Sequence, residues 1–372
     1  MSRSKDSNAV GTPLERASAL PPDFYTDPGI YKVEEEVIFR KSWIAIGRID
    51  QLDKPGDYFR FDVSGTPLVA TRAKDGEVRV LSAVCLHRYM PVAEGSGNAS
   101  AFTCPYHLWT YDLDGQLIGA SEMDKAEGFD KNDCRLPTVR HEVWEGFIFV
   151  NLDPEADALA PQLATLQQKI KQYRVSEMRT AATMDYESDW NWKVMVENFI
   201  ESYHHIGVHR TTLEPLFPAH FTTHEDTDGP FVYHHIPTKD RTPMPSKFPL
   251  PDDLTEEQRT ELLVISVYPY FLIALQPDEL TWLQVIPDTN GKHSVRWYIG
   301  WRPDAFQDPE VESKLATSKA TLDAIHREDM KACRAVQEGV SSQYASPGRL
   351  SHLEKGVWQF DEWVREKIAG AA

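Results

Sequence analysis

From Ile44 onward, apolar and polar residues alternate in runs too short for helices, and Val, Ile, Phe and Tyr dominate Tyr58–Val63, Thr66–Thr71, Val78–Val84 and Val143–Asn151. A period of two marks half-buried strands. Pro55-Gly56, Ser64-Gly65 and Asp75-Gly76 supply the turns between them. The pattern predicts an all-β domain over 41–153, preceded in 1–40 by a polar leader, Met1–Pro22, and a short helix, Tyr31–Trp43, expected to pack on the second domain, 154–372, rather than on the β domain. From Asp153 to Arg179 the period changes: Leu163, Leu166 and Ile170 recur at helical spacing with no Gly in between. This reads as a connector into a second domain, 154–372.

The second domain is expected to open with a helix carrying Trp190, Trp192, Glu197 and Glu201. Eight prolines between Pro215 and Pro251 then preclude regular structure there, and such irregular stretches often form lids or pocket walls. Strands follow from Leu262 to Trp301, and a last long helix runs from about Pro309 to Val340. The fold class is α+β, without internal repeats.

Composition narrows the function. Lys plus Arg number 39 against 57 for Asp plus Glu, a net charge of −18, and so acidic a surface repels nucleic acid and anionic membranes. The most apolar stretch, Leu262–Leu275, is broken by Ser266 and Pro269, and falls short of the roughly 18 apolar residues of a membrane span. The N-terminus lacks the apolar core of a secretory signal, so the chain is expected in the cytoplasm. Four cysteines are too few for a disulfide framework in a chain of this length. In a reducing compartment they are metal ligands or buried thiols.

Two of them stand beside histidines. Cys85-Leu86-His87 is followed, after sixteen residues, by Cys104-Pro105-Tyr106-His107. Each pair falls near a strand end, so two loops can present two thiolates and two imidazoles to one site. The second pair precedes Trp109-Thr110-Tyr111 and an Asp114-Gly115 turn, a hairpin that would hold its loop. Two groups fit such a donor set: a tetrahedral zinc, or a two-iron cluster with both cysteines on one iron and both histidines on the other. The single residue between Cys85 and His87 is short for zinc and favours the cluster. Cys134 and Cys333 remain as structural thiols.

A second constellation lies in the second domain: Glu197-Asn198, Glu201, Tyr203-His204-His205 and His209. At ~100° per residue, His204 and His209 would diverge by roughly 140° on one helix. Gly207 between them allows the helix to end, with His204 on its last turn and His209 in the loop beyond. Two imidazoles and a carboxylate form the facial triad that binds non-haem Fe(II) with positions left open. The carboxylate comes from the C-terminal helix, where Leu322, Ile325, Cys333, Val336 and Val340 make a buried stripe and Asp329 occupies a stripe position. A carboxylate on an apolar face costs several kcal/mol unless it is paired or ligates a metal. Glu328 falls about 100° off the stripe and is expected to be solvated. His205 is assigned to packing, and His220, His224, His234 and His235 to pocket wall or surface.

The Cys-x-His and Cys-x-x-His pairs with Trp-x-Tyr and Asp-Gly resemble a Rieske iron-sulfur domain. The arrangement Glu-Asn-x-x-Glu-x-Tyr-His-x-x-x-x-His, with the downstream Glu-Asp, resembles the mononuclear iron motif of Rieske non-haem iron oxygenases. Both motifs stand in family order, so the resemblance covers nearly the whole chain.

The resemblance implies a terminal oxygenase, or α subunit: a Rieske domain followed by a catalytic domain in which a curved antiparallel sheet grips a long helix. The implied cofactors are a 2Fe-2S Rieske cluster on Cys85, His87, Cys104 and His107, and a mononuclear Fe(II) on His204, His209 and Asp329. The implied partners are O2, a small organic substrate and a separate NAD(P)H-dependent reductase, with or without a ferredoxin. The implied assembly is a homotrimer passing electrons from one subunit's cluster to its neighbour's iron. Glu201 matches the carboxylate that links the two centres, with Asn198 and Tyr203 as supports. Ring-hydroxylating members usually have Asp at that position, whereas those acting on choline, carnitine and betaine have Glu. The expected reaction is ring hydroxylation or oxidative demethylation. Oxidation of a quaternary ammonium compound and cis-dihydroxylation stand as alternatives, and a non-catalytic electron carrier or ligand-binding protein as the rival reading.

Overall fold

The computed structural model describes residues 10–370; Met1–Ala9, the first part of the expected leader, lies outside them. Two compact units result, one contiguous from Phe39 to Leu159, the other formed by the chain up to Ile38 together with everything from Ala160 onward.

The contiguous unit is all β. Strands β1 (Ile44–Arg48), β10 (Phe147–Asn151) and β9 (Arg140–Trp144) form one antiparallel sheet, in that order. A second sheet runs β4 (Val78–Ser82), β3 (Thr66–Arg72), β2 (Asp57–Val63), β5 (Ser96–Asn98), and a third β6 (Phe102–Thr103), β7 (Thr110–Tyr111), β8 (Leu117–Gly119). Val63 pairs with Thr66 across a two-residue turn in which Ser64 and Gly65 both have positive φ, the turn whose twist suits a hairpin. The same geometry corrects the expectation of one strand over Val143–Asn151. Glu145 and Gly146 take positive φ and fold that run into the β9–β10 hairpin, with Trp144 opposite Phe147.

The connector's helical spacing forms a short helix, Ala164–Ile170, and the chain then enters strand β11 (Arg179–Ser188) before the expected helix begins. Helix α2 (Trp192–Phe199) is shorter than expected and leaves Trp190 and Glu201 outside it. Asn191 caps it, its side chain accepting a hydrogen bond from the Lys193 amide at 3.0 Å. Before it in the chain, helix α1 (Pro28–Glu34) continues into a π-helical turn, Glu35–Phe39. Glu34 of α1 meets Lys193 at 2.6 Å with both side chains fully buried, and accepts from Trp192 Nε1 at 2.9 Å.

A seven-stranded antiparallel sheet follows the order β11, β17 (Lys292–Trp301), β16 (Leu280–Thr289), β15 (Phe271–Leu275), β14 (Glu261–Val267), β13 (Phe231–Pro237), β12 (Thr223–His224). Strands β12 and β13 lie inside the proline-rich stretch, so the expectation of wholly irregular structure there is overturned. Pro230 and Pro237 stand before and at the end of β13, where a missing amide is tolerated. Helix α3 (Val311–Val340) rests on the sheet through Tyr186 of β11, whose hydroxyl donates to Asp323 at 2.8 Å, and through ring contacts of His326 with Tyr186 and Trp297. It is not the last helix; α4 (Lys355–Ala369) follows. On α3 the buried residues are Ser318, His326, Asp329 and Cys333, whereas Val336 is 47% exposed, so the apolar stripe ends a turn earlier than expected. No helix among the described residues is long and apolar enough to cross a membrane.

Candidate metal centres

In the all-β unit, the four Cys and His residues occupy two loops. Cys85 follows β4, and Cys104 follows β6 and is tied back by its amide to the Trp109 carbonyl at 2.8 Å. Both thiols are free and buried. The rings of His87 and His107 lie 4.6 Å apart, and Trp109 stacks on His87 at 4.9 Å and 10°. His107 Nδ1 is buried with no hydrogen-bond partner, which leaves it free to ligate a metal. Desolvation first, then the neighbouring His87 and Arg88, push His107 below its ordinary range, so the imidazole is neutral, as a ligand must be. Tyr111 is buried behind the cluster loops. Burial and its bond with Cys85 raise its pKa, so the hydroxyl keeps its proton beside Cys85 Sγ at 3.4 Å and accepts from the Leu86 amide.

The second centre forms where α2 has ended. The 3-10 turn Tyr203–Ile206 carries His204, and His209 follows in the loop. The break is thus at Ile200, not at Gly207, whose φ of −102° any residue could adopt. His204, His209 and Asp329 each bring one donor atom to within 4.8 Å of the others. His209 Nε2 lies 2.9 Å and His204 Nε2 3.6 Å from the same oxygen, Asp329 Oδ1.

Each histidine turns its other nitrogen to a carboxylate. His204 Nδ1 meets Glu201 Oε1 at 2.7 Å, and Glu201 Oε2 accepts from the His204 amide. His209 Nδ1 meets Glu328 Oε2 at 2.7 Å, which Thr212 also reaches at 2.6 Å. A carboxylate on Nδ1–H fixes the tautomer and leaves Nε2 for the metal. Burial lowers the proton affinity of His209, and its bonds with Asp329 and Glu328 more than reverse this. The expectation of a solvated Glu328 is therefore corrected: at 28% side-chain exposure it sits off the stripe yet faces His209, because the loop after α2 folds over that flank of α3.

The other expected residues divide. Asn198 and His205 line the cavity in front of the triad, and His205 also contacts the Phe217 carbonyl. Tyr203 is 48% exposed and is not part of the cavity wall. His234 and His235 are buried in β13 and do not line the cavity, and His235 lies between Glu225 and Glu261, so neither is surface or pocket wall. The cavity measures about 860 Å³ and is walled mainly by apolar side chains, among them Phe199, Leu213, Phe217, Val264, Trp297 and Ile325.

The comparisons with known proteins agree with this geometry. Residues 175–370 match the family described as ring hydroxylating alpha subunit (catalytic domain), and residues 42–139 match the Rieske [2Fe-2S] domain. The chain belongs to this family, the oxygenase components of Rieske non-haem iron oxygenases. A carnitine monooxygenase oxygenase subunit of Acinetobacter pittii (strain PHEA-2) is 37% identical over 191 residues, 50% of this chain and 52% of that protein. The chain thus spans about half the length of the carnitine relatives it matches. The chloroplastic choline monooxygenase of Arabidopsis thaliana is 28% identical over 94% of this chain and 82% of its own. A crystal structure of the quaternary ammonium Rieske monooxygenase CntA with an inhibitor superposes with a TM-score of 0.83 at 26% identity, covering 94% of this chain and 95% of that one.

The family carries a Rieske cluster and a mononuclear iron, and the residues present fit both. Two buried thiols and two imidazoles, one with an orphaned nitrogen, meet at the first centre. Two imidazoles and a carboxylate with converging donors meet at the second.

Proposed function

We propose that the chain is the oxygenase component of a multicomponent enzyme that oxidises a small organic substrate with O2, using electrons from NAD(P)H delivered by a separate reductase. One observation carries this reading: the donor atoms of His204, His209 and Asp329 converge at the wall of a mostly apolar cavity. Iron held there, and reduced through the cluster, supplies the activation of O2 that no side chain can provide. The protein's own residues do the rest. His204 Nε2, His209 Nε2 and Asp329 hold the metal on one face, leaving the cavity side open. Glu201 and Glu328 orient the two rings, and the apolar walls exclude water from the oxidised carbon. Cys85, Cys104, His87 and His107 hold the cluster, with Tyr111 as a donor to Cys85. Glu201 also serves the coupling of the two centres, in a homotrimer whose electron path crosses from subunit to subunit.

The substrate class follows from the relatives and from Glu201. Monooxygenation of a quaternary ammonium compound is the first reading, because the matched relatives are named as carnitine and choline monooxygenases and Trp297 and Phe199 on the wall suit an ammonium by cation–π attraction. Oxidation of an arene is the second, favoured by the aliphatic part of the same wall. Metal and acid-labile sulfide analysis of anaerobically purified protein tests the assignment. About three irons and two sulfides per chain are expected, falling to about two irons in His209→Ala. Zinc without sulfide would overturn the reading, as would a mononuclear site that stays empty after iron reconstitution.

A further inference from the structure

The cavity has two polar ends. At one stand His204, His209 and Asp329; at the other, Lys247 Nζ pairs with Glu279 Oε2 at 3.3 Å. Helix α3 runs between them: Ser318, Leu322, Ile325 and Asp329 all line the cavity, at intervals of four, three and four residues, which is one helix face. Eleven residues at 1.5 Å each place Ser318 about 16 Å along the axis from Asp329. Ser318 Oγ donates to Glu279 Oε2 at 2.6 Å, fixing the ion pair at that level of the helix.

The two members of the pair are unequally served. Glu279 Oε2 also accepts from Trp301 Nε1 at 2.8 Å, and its side chain is 6% exposed. Lys247 has Glu279 as its side-chain partner among the described residues and is 23% exposed. An ammonium has three N–H donors, so it keeps donors to spare, and among the described residues it is the one Lys or Arg side chain on a wall whose other charged groups are the carboxylates of Glu201, Glu279 and Asp329. Its backbone is held, since Asp278 Oδ2 accepts from the amides of both Lys247 and Phe248.

We propose that Lys247 selects the substrate, which carries a carboxylate or similar anionic group at the end remote from the oxidised carbon. The proposal rests on reading the triad as the iron end. A carboxylate gains a charge-assisted hydrogen bond from Lys247. When Lys247 turns to it, Glu279 keeps its hydrogen bonds from Ser318 and Trp301. The apolar middle, with Leu213, Phe217, Val264 and Ile325, takes an uncharged body, and the helix sets a limit of about 16 Å on the length that fits.

The test measures dissociation constants by calorimetry on the holoenzyme with two probes of one shape, para-butylbenzoate and para-butylbenzamide. The benzoate is expected to bind at least about tenfold more tightly than the benzamide. Lys247→Met should reduce that preference to within about threefold, and Lys247→Arg should keep it. The wild-type comparison needs no variant to fold. Equal or tighter binding of the amide, no binding by either probe, or a preference that survives in Lys247→Met would each overturn the proposal. Iron and sulfide are measured on the same preparation. Full metal content without a benzoate preference removes the role of Lys247 alone, whereas failure to take up mononuclear iron removes the oxygenase reading and leaves the binding preference to be judged by itself.

Discussion

With His204 and His209 read as iron ligands, Glu201 and Glu328 decide which nitrogen of each ring is free. Removing such a partner typically lowers metal affinity by about 10- to 100-fold. Glu328→Ala is therefore expected to lose iron to a competing chelator at 10- to 100-fold lower chelator concentration than wild type, with the cluster spectrum unchanged. Unaltered iron retention would show that Thr212 or solvent replaces it. Glu201→Ala should keep the cluster and most of the iron yet lose substrate-dependent NAD(P)H and O2 consumption by at least about 100-fold, since a coupling residue acts on transfer and not only on occupancy. Full steady-state turnover would remove that role. The residues that meet at the two candidate centres could be singled out in the sequence because they stand beside rare neighbours, Cys-x-His and a carboxylate on an apolar stripe. Glu328 was not, because helical angle alone places it off the stripe, and only the loop carrying His209 and Thr212 brings partners to it.

Among the elements, α2 and α4 meet at one close point. A Cβ on Gly356 would come within 2.5 Å of the Ile200 carbonyl oxygen, the residue at which α2 ends and the chain turns towards Glu201 and His204. Gly356→Ala must push α4 away from that turn, and overpacking of this kind costs about 1–3 kcal/mol. A lowered thermal midpoint is expected, with weaker iron retention because the turn carries the ligand loop; a midpoint equal to wild type would mean that α4 yields freely. Helix α4 itself was readable and was missed. Val357, Phe360 and Val364 recur at helical spacing, and Ser351 and Glu354 form a capping box just before them. The β9–β10 hairpin was also readable from Glu145-Gly146. Strand β13 was not, since proline content speaks against strands in general, whereas Pro230 and Pro237 sit only at its ends.

For the molecule as a whole, stability should depend on acid through histidines kept neutral inside the fold. His224, His293 and His326 are each pushed down to about 4, in each case chiefly by burial, from an ordinary value of 6.5. Between those limits the unfolded chain binds protons that the folded chain refuses, so stability falls as pH drops from 6.5 towards 4 and is level above 6.5 as far as these groups are concerned. The thermal midpoint should decline across that window, and less steeply in His224→Gln; equal slopes in the two proteins would remove this histidine as a cause. The change of period near Asp153 marks a second domain in the sequence, and the compact units divide at Leu159. That the first residues belong with the last unit becomes visible in Glu34, buried against Lys193 and Trp192.

That buried pair also has a history in time. Its members stand 159 positions apart, and at 5–20 residues per second a ribosome makes Lys193 about 8–30 s after Glu34. Every residue of the Phe39–Leu159 unit is synthesised in that interval. The contiguous unit can therefore close while α1 still trails without the lysine it is built to meet. The second unit, which needs both Glu34 of α1 and Lys193 of α2, can close only after α2 has left the ribosome, so the contiguous unit is complete first.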